Sequence, residues 1–329
     1  MIRNILIFGG TGNLSYTVAR ILLCEGFYVT CLTRGTNNVL EKNLVRLGAT
    51  ILHYSSKPFK LDLPFTLQPD YIIDFVAYSS TDIDEHVRAF INIGFQRYVF
   101  ISTTAFYTRT KIIDPYYSEC DFDPNHPWQY AFSKFKAECY LKSLSTSHNI
   151  NALSLRLGHT LGHLIPVYLG NSGHAIIDHV QETGIVPISG NIMQDWSIGT
   201  AEGLGQVLAK LIYSESKLPP YTAVHFSEYI TRWIDIISHF LEAVNPAARI
   251  YNLPFSIVES ISPKWLPSIK YHKQYSDKYN LGILSSLIEH EPTINLQKII
   301  SDSVLFTRSQ NTSTRYFEDR SALALLCEH

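Results

Sequence analysis

The sequence has little net charge and no segment dominated by one sign of charge. Its 27 Lys and Arg residues nearly balance 29 Asp and Glu residues, giving a formal net charge of −2. Proteins that bind nucleic acid or a membrane surface usually carry a stripe of basic residues, and this chain has none. The composition therefore favours a small molecule as the partner and disfavours nucleic acid or a membrane.

Long apolar runs and paired cysteines are also lacking. No run approaches the roughly 20 apolar residues that cross a bilayer, and no basic and then apolar leader opens the chain. The five cysteines are widely spaced without a Cys-x-x-Cys pair, as is usual in a reducing compartment. We therefore expect a cytoplasmic protein with free thiols.

The chain has no strong metal-binding pattern. His159 and His163 have an H-x-x-x-H spacing, but Gly158, Gly162 and Pro166 would break a helix that aligned them. No cluster of carboxylates or thiolates lies beside the pair in the sequence. We therefore expect no metal ion.

The first half of the chain does have a regular alternation of strand and helix patterns. Short apolar runs predict six strands, near residues 4–8, 27–32, 50–53, 71–76, 97–102 and 152–157. Helical spacing lies between most of them. This order predicts an α/β fold with a Rossmann-type, doubly wound parallel sheet and a smaller α/β C-terminal domain.

A glycine-rich turn joins the first strand to the first helix, in the run Gly9-Gly10-Thr11-Gly12-Asn13-Leu14-Ser15. Gly9 permits the tight turn, Gly12 lets backbone N–H groups approach an anion, and the helix N-terminus adds partial positive charge. The pattern is typical of a loop that binds the pyrophosphate of a dinucleotide. Ser15 stands where a third glycine normally allows close packing, so we expect the first helix to be slightly displaced.

A second pattern lies on a predicted helix that continues through Leu144. Tyr130 and Lys134 are four residues apart and therefore share one face of this helix. They follow a predicted strand, 97–102, that runs into Ser102-Thr103-Thr104. Glycine loop, strand end and Tyr-x-x-x-Lys pair thus occur in one consistent order.

In this order the chain resembles the extended short-chain dehydrogenase/reductase family, which includes nucleotide-sugar epimerases, dehydratases and reductases. The resemblance covers most of the chain and is most specific in the N-terminal half. It is carried by Gly9, Gly12, Thr103, the Tyr130/Lys134 pair, Glu138 and the strand exit at 154–158. It implies a cofactor domain at 1–162 and about 196–226, and a substrate-binding region at about 163–195 and 227–329.

The resemblance also implies roles for individual residues. Tyr130 would be the acid/base, Lys134 would lower the pKa of that tyrosine towards neutrality, and Thr103 would orient the substrate oxygen. Ser102 and Thr104 are alternatives to Thr103. The expected cofactor contacts are Gly9, Thr11, Gly12, Asn13, Leu14, Arg34, Ala77, Tyr130 and Lys134.

Further predictions concern the surroundings of this site. Substrate contacts are expected from Thr104, Arg156 and His159, although Arg156 fits a structural role equally well. The polar and aromatic segment 114–128 is predicted to be a loop over the site. Thr231 is a predicted N-cap of a following helix that begins at Trp233. The family resemblance implies a homodimer formed through helices that flank the sheet.

The end of the second strand bears on the choice of nicotinamide cofactor. Relatives that use NAD usually place a carboxylate there, which accepts hydrogen bonds from the ribose hydroxyls. This chain has Arg34 instead, and a guanidinium binds a phosphate that a carboxylate would repel. The sequence favours NADP(H); NAD(H) stays open if Arg34 is only a solvated cation.

Two departures from the family patterns bear on the reaction. Thr104-Ala105 follows Thr103 where dehydratases carry Asp-Glu, and Gln194-Asp195-Trp196 stands where sugar-nucleotide relatives often carry Arg-Asp-Phe. We therefore favour a reductase or dehydrogenase acting on a carbonyl or alcohol of a small sugar-like or secondary-metabolite substrate. A nucleotide-sugar epimerase with an internally cycled cofactor is the alternative. A non-catalytic, dinucleotide-binding regulatory or RNA-binding protein is a third hypothesis, against which the Tyr130/Lys134 pair argues.

Overall fold

The computed structural model describes residues 3–56, 59–60, 67–107, 116–117, 123–214, 218–279, 284–285, 295–310 and 315–326. Residues 114–115 and 118–122 of the predicted loop at 114–128 lie outside these residues. None of the described helices is long and apolar enough to cross a membrane.

The strands and helices of the described residues are as follows. The strands are β1 (Asn4–Phe8), β2 (Tyr28–Thr33), β3 (Thr50–His53), β4 (Ser55–Ser56), β5 (Phe59–Lys60), β6 (Tyr71–Asp74), β7 (Arg97–Thr103), β8 (Tyr116–Tyr117), β9 (Ala152–Leu157), β10 (His159–Leu161), β11 (Ile185–Ile188), β12 (Asp195–Thr200), β13 (Tyr221–Phe226), β14 (Tyr229–Arg232), β15 (Arg249–Asn252) and β16 (Lys278–Tyr279). The helices are α1 (Ser15–Cys24), α2 (Asn38–Arg46), α3 (Ser80–Ile91), α4 (Gln129–His148), α5 (Gly173–Thr183), α6 (Ala201–Tyr213), α7 (Trp233–Val244), α8 (Phe255–Ile261), α9 (Leu266–Ser268), α10 (Leu296–Ser309) and α11 (Arg315–Leu326). Short turns on either side extend α9 into a helical segment at 263–273.

The main sheet has seven parallel strands in the order β13-β9-β7-β6-β1-β2-β3 within the described residues. The predicted doubly wound α/β sheet is therefore confirmed. Its strands are apolar on both faces because helices cover both: α1, α2 and α6 bury one face, and α3 and α4 bury the other. The seventh strand, β13, is the edge strand of this sheet next to β9.

A second hydrophobic core lies apart from the sheet. It is built from β11, β12, α5, α7, the segment 263–273, α10 and α11, and it includes the fully buried Trp196 and Trp233. Strand β12 pairs in parallel with β10 and antiparallel with β14. Because β10 follows β9 after one residue, this second core begins next to the carboxyl ends of the main strands.

One local prediction is wrong. Thr231 does not cap a helix, because it lies within β14 and pairs with Trp196 of β12. The helix begins at Trp233 as expected, but its N-terminus is closed by Asp235, whose carboxylate accepts hydrogen bonds from the backbone and side chain of Arg232. The ladder between the two strands therefore takes precedence over the capping preference of threonine.

Candidate active site

A cleft of about 660 Å³ opens at the carboxyl ends of the main-sheet strands. In an open α/β sheet this edge is the usual place for a ligand, because loops from neighbouring strands diverge there. The glycine-rich loop after β1 forms one wall, and the ends of β7 and β9 form the floor. The sequence-predicted residues that line it are Gly9, Thr11, Gly12, Asn13, Leu14, Arg34, Thr103, Tyr130, Lys134 and His159.

The glycine-rich loop is closed by Ser15. Its buried hydroxyl donates to the carbonyl oxygen of Gly9 and accepts from the amide of Gly12 at 2.9 Å. Helix α1, which starts at this residue, has no side-chain cap at its N-terminus. The loop therefore presents an uncapped helix N-terminus to the cleft, which suits a pyrophosphate.

Arg34 follows β2 and reaches the same cleft, where it is exposed and makes no ion pair with a described residue. The nearest carboxylate in the sequence, that of Glu41, is buried and does not line the cleft. It accepts from the hydroxyl of Thr33 and lies 3.2 Å from Nε2 of His53. The guanidinium of Arg34 is thus available to a ligand, whereas the carboxylate of Glu41 already interacts with Thr33 and His53.

Thr103 at the end of β7 and Tyr130 in the first turn of α4 both line the cleft. Burial raises the pKa of Tyr130 to about 12, and the nearby side chain of Thr103 offsets only part of this effect. This direction is opposite to the one expected from the sequence. The protein groups alone therefore keep the phenol protonated at neutral pH.

Lys134 lies one turn along α4 and is buried. Its ammonium donates to the carbonyl oxygens of Ala77, at 2.8 Å, and Ile101, at 2.7 Å. It also lies 4.8 Å from the ring centroid of Tyr78. Burial lowers the pKa of Lys134 to about 8, against the opposing effect of nearby carboxylates. The lysine is therefore fixed by backbone oxygens beside the cleft, and Ala77 itself does not line the cleft.

Sequence reasoning missed a buried cluster under this lysine. Asp74, at the end of β6, accepts from the amides of Val76 and Ala77, both at 2.8 Å, and lies 2.6 Å from Nδ1 of His86. Burial opposes its charge, but His86 and Tyr98 outweigh burial and lower the pKa of Asp74. Asp74 thus fixes the turn whose carbonyl holds Lys134. The sequence did contain a signal for this cluster, because Asp74 is an acidic residue at the end of the otherwise uncharged strand β6.

Two predicted substrate residues lie elsewhere. Arg156 takes the structural role, because its Nε donates to Glu138 at 2.8 Å and both side chains are buried. Glu138 also accepts from Ser102 at 2.7 Å, which ties β7, α4 and β9 together. The hydroxyl of Thr104 donates to Leu157 at 3.2 Å. Neither Arg156 nor Thr104 lines the cleft, because Arg156 is bonded to Glu138 of α4 and Thr104 to the backbone of β9.

The wall opposite the glycine loop comes from the second core. It carries the side chains of His159, Trp196, Ser268, His272 and Lys273. The sequence predicted His159 as a substrate contact, and it showed that Trp196 lies in a motif that departs from the family pattern. It gave no signal for the residues of segment 263–273. That segment is far from the catalytic motifs in sequence and reaches the cleft only through the packing of the second core.

A second and larger cleft, of about 990 Å³, adjoins the first through the glycine loop and is lined by 36–39, 159–167, 171–174 and parts of α10. It contains none of Thr103, Tyr130 and Lys134, so these three predicted catalytic residues line only the first of the two clefts. No group of three or more potential metal ligands occurs within the described residues.

Comparison with known proteins agrees with this geometry. Residues 5–183, just over half of the 329-residue chain, match the model of the NAD dependent epimerase/dehydratase family. No curated protein sequence matches the chain. The chain is similar to the UDP-glucose-4-epimerase of Stenotrophomonas maltophila solved with NAD and formylated UDP-arabinopyranose, with a TM-score of 0.73 and 12% identity over 93% of this chain and 98% of that one.

It is also similar to the UDP-N-acetylglucosamine 4-epimerase of Methanobrevibacter ruminantium M1, with a TM-score of 0.70 and 15% identity over 94% of this chain and 99% of that one. At such identities the likeness shows a shared fold and nothing finer. The family match and the fold agree with the site built from the glycine loop, Thr103, Tyr130 and Lys134. The chain belongs to the NAD dependent epimerase/dehydratase family and is an enzyme of the extended short-chain dehydrogenase/reductase type.

Proposed function

We propose that this enzyme transfers hydride between NADP(H) and a carbonyl or alcohol carbon of a small substrate. The observation that carries the proposal is that Thr103, Tyr130 and Lys134 line one cleft together with the glycine loop. Members of the family that only bind a dinucleotide would have no use for a hydroxyl pair over the floor of the cleft. We therefore do not keep the non-catalytic hypothesis.

The residues of the cleft fit a nicotinamide dinucleotide phosphate. The uncapped N-terminus of α1 suits the pyrophosphate, and the exposed guanidinium of Arg34 suits a further phosphate on the ribose. No Asp or Glu lines the cleft within the described residues, so no carboxylate there would repel that phosphate. These features support NADP(H) over NAD(H). The bound cofactor would supply or accept the hydride.

Tyr130 and Thr103 then act on the substrate oxygen. Because the pKa of Tyr130 is about 12, the phenol carries its proton at neutral pH and donates it as negative charge develops on that oxygen. Thr103 donates a second hydrogen bond to the same oxygen. Lys134 has three N–H donors and uses two on backbone oxygens, which leaves one for the nicotinamide ribose, as the family resemblance implies.

An epimerase that keeps its cofactor is the second candidate. It is favoured by the fold shared with two UDP-sugar 4-epimerases. The same three side chains would serve it, since removal and return of a hydride need the same acid and base. The two candidates differ in whether the nicotinamide cofactor leaves the enzyme during turnover.

The test of the acid role is Tyr130→Phe, with Tyr140→Phe on the same helix as the matched control. Tyr140 is bonded to Asp84 at 2.6 Å, away from the cleft. We expect Tyr130→Phe to keep its affinity for NADPH and to lose about 100-fold or more in kcat against a carbonyl panel, the usual contribution of a general acid. Tyr140→Phe should match the wild type. Unchanged turnover in Tyr130→Phe would remove the basis for the proposed chemistry.

A further inference from the structure

The wall of the cleft that faces the glycine loop has a cation of its own. Lys273, from the helical segment 263–273, lines the cleft together with His159 of β10 and Trp196 of β12. None of these three side chains belongs to the cofactor or proton-transfer groups described above. They lie where the substrate, rather than the cofactor, would meet the protein.

Lys273 is held in one orientation. Its Nζ donates to the carbonyl oxygens of Val167, at 2.9 Å, and Tyr168, at 2.8 Å. The ammonium also lies 5.1 Å from the ring centroid of Trp233 and 5.4 Å from that of Tyr168. An ammonium has three N–H donors, and these two carbonyls use two of them. One donor is therefore left for the cleft that the side chain lines.

Among the described residues, no carboxylate neutralises this cation. Within the described residues, the side chains that line the cleft include three cations, Arg34, Lys134 and Lys273, and no Asp or Glu. Burial alone lowers the pKa of Lys273 to about 7, and no acid opposes that shift. An anionic group bound from the cleft would restore the charge of the ammonium and satisfy its remaining donor.

His159 supplies a second polar group next to Lys273. Its Nε2 atom is buried and has no hydrogen-bond partner in the described part of the chain. Burial and the charge of Lys273 lower the pKa of His159 to about 3, so the ring is neutral near pH 7. A buried imidazole nitrogen without a partner carries an energetic cost that a bound ligand would remove. The ring packs 4.7 Å from Trp233, which fixes its plane.

We propose that Lys273 and His159 form a subsite for an anionic group, a carboxylate or a phosphate, on the end of the substrate away from the reacting carbon. Trp196, which is also among the residues that line the cleft, packs edge-on against the ring of His159. The substrate class is therefore a small acidic carbonyl or alcohol compound and not a neutral sugar. This assignment rests on the proposed function for the identity of the reacting end, but the subsite itself requires no turnover.

The first experiment measures binding by calorimetry with NADP⁺ present. The probes are benzoate and phenyl phosphate as anions, benzamide as the neutral counterpart, and UDP as a nucleotide. The variants are Lys273→Met and, as a matched control on the same segment, the exposed Lys270→Met. We expect one or both anions to bind at least about tenfold more tightly than benzamide, which is what a charge-assisted hydrogen bond supplies. Lys273→Met should abolish that preference, and Lys270→Met should retain it.

The second experiment measures turnover with NADPH and a matched pair of substrates, 4-carboxybenzaldehyde and its neutral methyl ester. We expect kcat/KM to favour the acid in the wild type, and Lys273→Met to lose this preference mainly through KM. If Lys273→Met does not fold, as judged by circular dichroism, Lys273→Arg should keep the preference for the acid. The comparison of acid and ester in the wild type needs no variant at all.

The outcomes separate the two proposals. Absence of an anion preference in the wild type, or its persistence in Lys273→Met, overturns the subsite even when the enzyme reduces aldehydes. UDP binding that depends on Lys273, without binding of either small anion, overturns it in favour of a sugar nucleotide. Anion binding that depends on Lys273, in a protein that turns over no carbonyl, supports the subsite and contradicts the proposed hydride transfer.

Discussion

Arg34 is the single residue on which the proposed cofactor preference depends. It is exposed at the cleft and pairs with no described residue, so a ribose phosphate would gain a charge-assisted hydrogen bond from it. We expect Arg34→Ser to raise the KM for NADPH about tenfold or more, the effect of losing such a bond, and to leave the KM for NADH nearly unchanged. Steady-state kinetics with both cofactors checks this.

The matched control is Arg46→Ser, at the exposed end of α2, which should leave both constants unchanged. An equal loss of NADH and NADPH affinity in Arg34→Ser would argue for a general structural role. Unchanged kinetics with NADPH would leave Arg34 as a solvated cation and return NAD(H) to first place.

The residues that could be predicted from the sequence are those whose geometry is local. Tyr130 and Lys134 share a face because they are four residues apart on a helix, and Thr103 is at the end of the strand that leads to it. Lys273 could not be predicted in this way, because it reaches the cleft only through the packing of a second core. The direction of the Tyr130 pKa was also missed, since burial depends on the whole fold.

At the scale of elements, β6 and α3 are joined by the buried contact between Asp74 and His86. We expect Asp74→Asn to lower the free energy of unfolding by about 3 kcal/mol, as for the loss of one partner of a buried charged pair. The exposed pair partner Asp302, changed to Asn, is the control and should cost about 0.5 kcal/mol or less. Urea unfolding at fixed pH gives both values.

The pH dependence of this contact follows from its two pKa shifts. Burial disfavours the charged form of His86, but Asp74 outweighs burial and raises the pKa of His86 above 6.5, so its contribution is complete below pH 6.5 and declines as pH rises through the folded value. The pKa of Asp74 is lowered below 3.8, so its contribution is complete above that pH and declines only in stronger acid. The stability difference between wild type and Asp74→Asn should therefore be largest between pH 3.8 and 6.5. A difference that grows steadily above pH 7 would contradict this assignment.

Helices and strands with strong sequence patterns were predicted correctly, whereas the ends of these elements were predicted less accurately. The six predicted strands are all present because each is a short apolar run, and all except the edge strand β3 are mostly buried. Thr231, for example, pairs in a sheet rather than capping α7. Which residue caps a helix depends on which residues before the helix already pair with a neighbouring strand. The sequence alone does not show which strand that neighbour is.

For the whole molecule, Asn13 connects the glycine loop with the region of the second core. Its side-chain oxygen accepts from the amide of Leu164 at 2.8 Å, and a Cβ at Gly162 would lie 2.4 Å from the same oxygen. We expect Asn13→Ala to lower the stability of the protein by about 1 kcal/mol and its Tm by roughly 2–4 °C. We also expect weaker NADPH binding, because the loop is then less ordered.

Differential scanning calorimetry with and without NADPH measures both effects. Asn245→Ala is a suitable control, since it loses side-chain hydrogen bonds to Val180 and Ala247, away from the glycine loop. Asn245→Ala should lower Tm without changing the shift that NADPH produces. Equal NADPH shifts in wild type and Asn13→Ala would show that the contact does not order the loop.

Several whole-molecule properties stay predictions. The division at residues 162–163, the cytoplasmic location and the homodimer formed through helices that flank the sheet, α4 with Tyr130 and Lys134 among them, all come from the sequence and the family resemblance. The second hydrophobic core includes Leu161, Trp196 and Ile198, which the predicted division places in the cofactor domain. Which surface meets a second copy depends on side chains that no periodic pattern identifies.

The central claim is that the cofactor exchanges at each turnover, as in a reductase. The most direct measurement counts the moles of NADPH oxidised per mole of enzyme in the presence of an acidic carbonyl substrate such as 4-carboxybenzaldehyde. We expect many equivalents per active site in the wild type and almost none in Tyr130→Phe. Oxidation of no more than one equivalent, with NAD(P) released only when the enzyme is denatured, would contradict the account and identify an epimerase that keeps its cofactor.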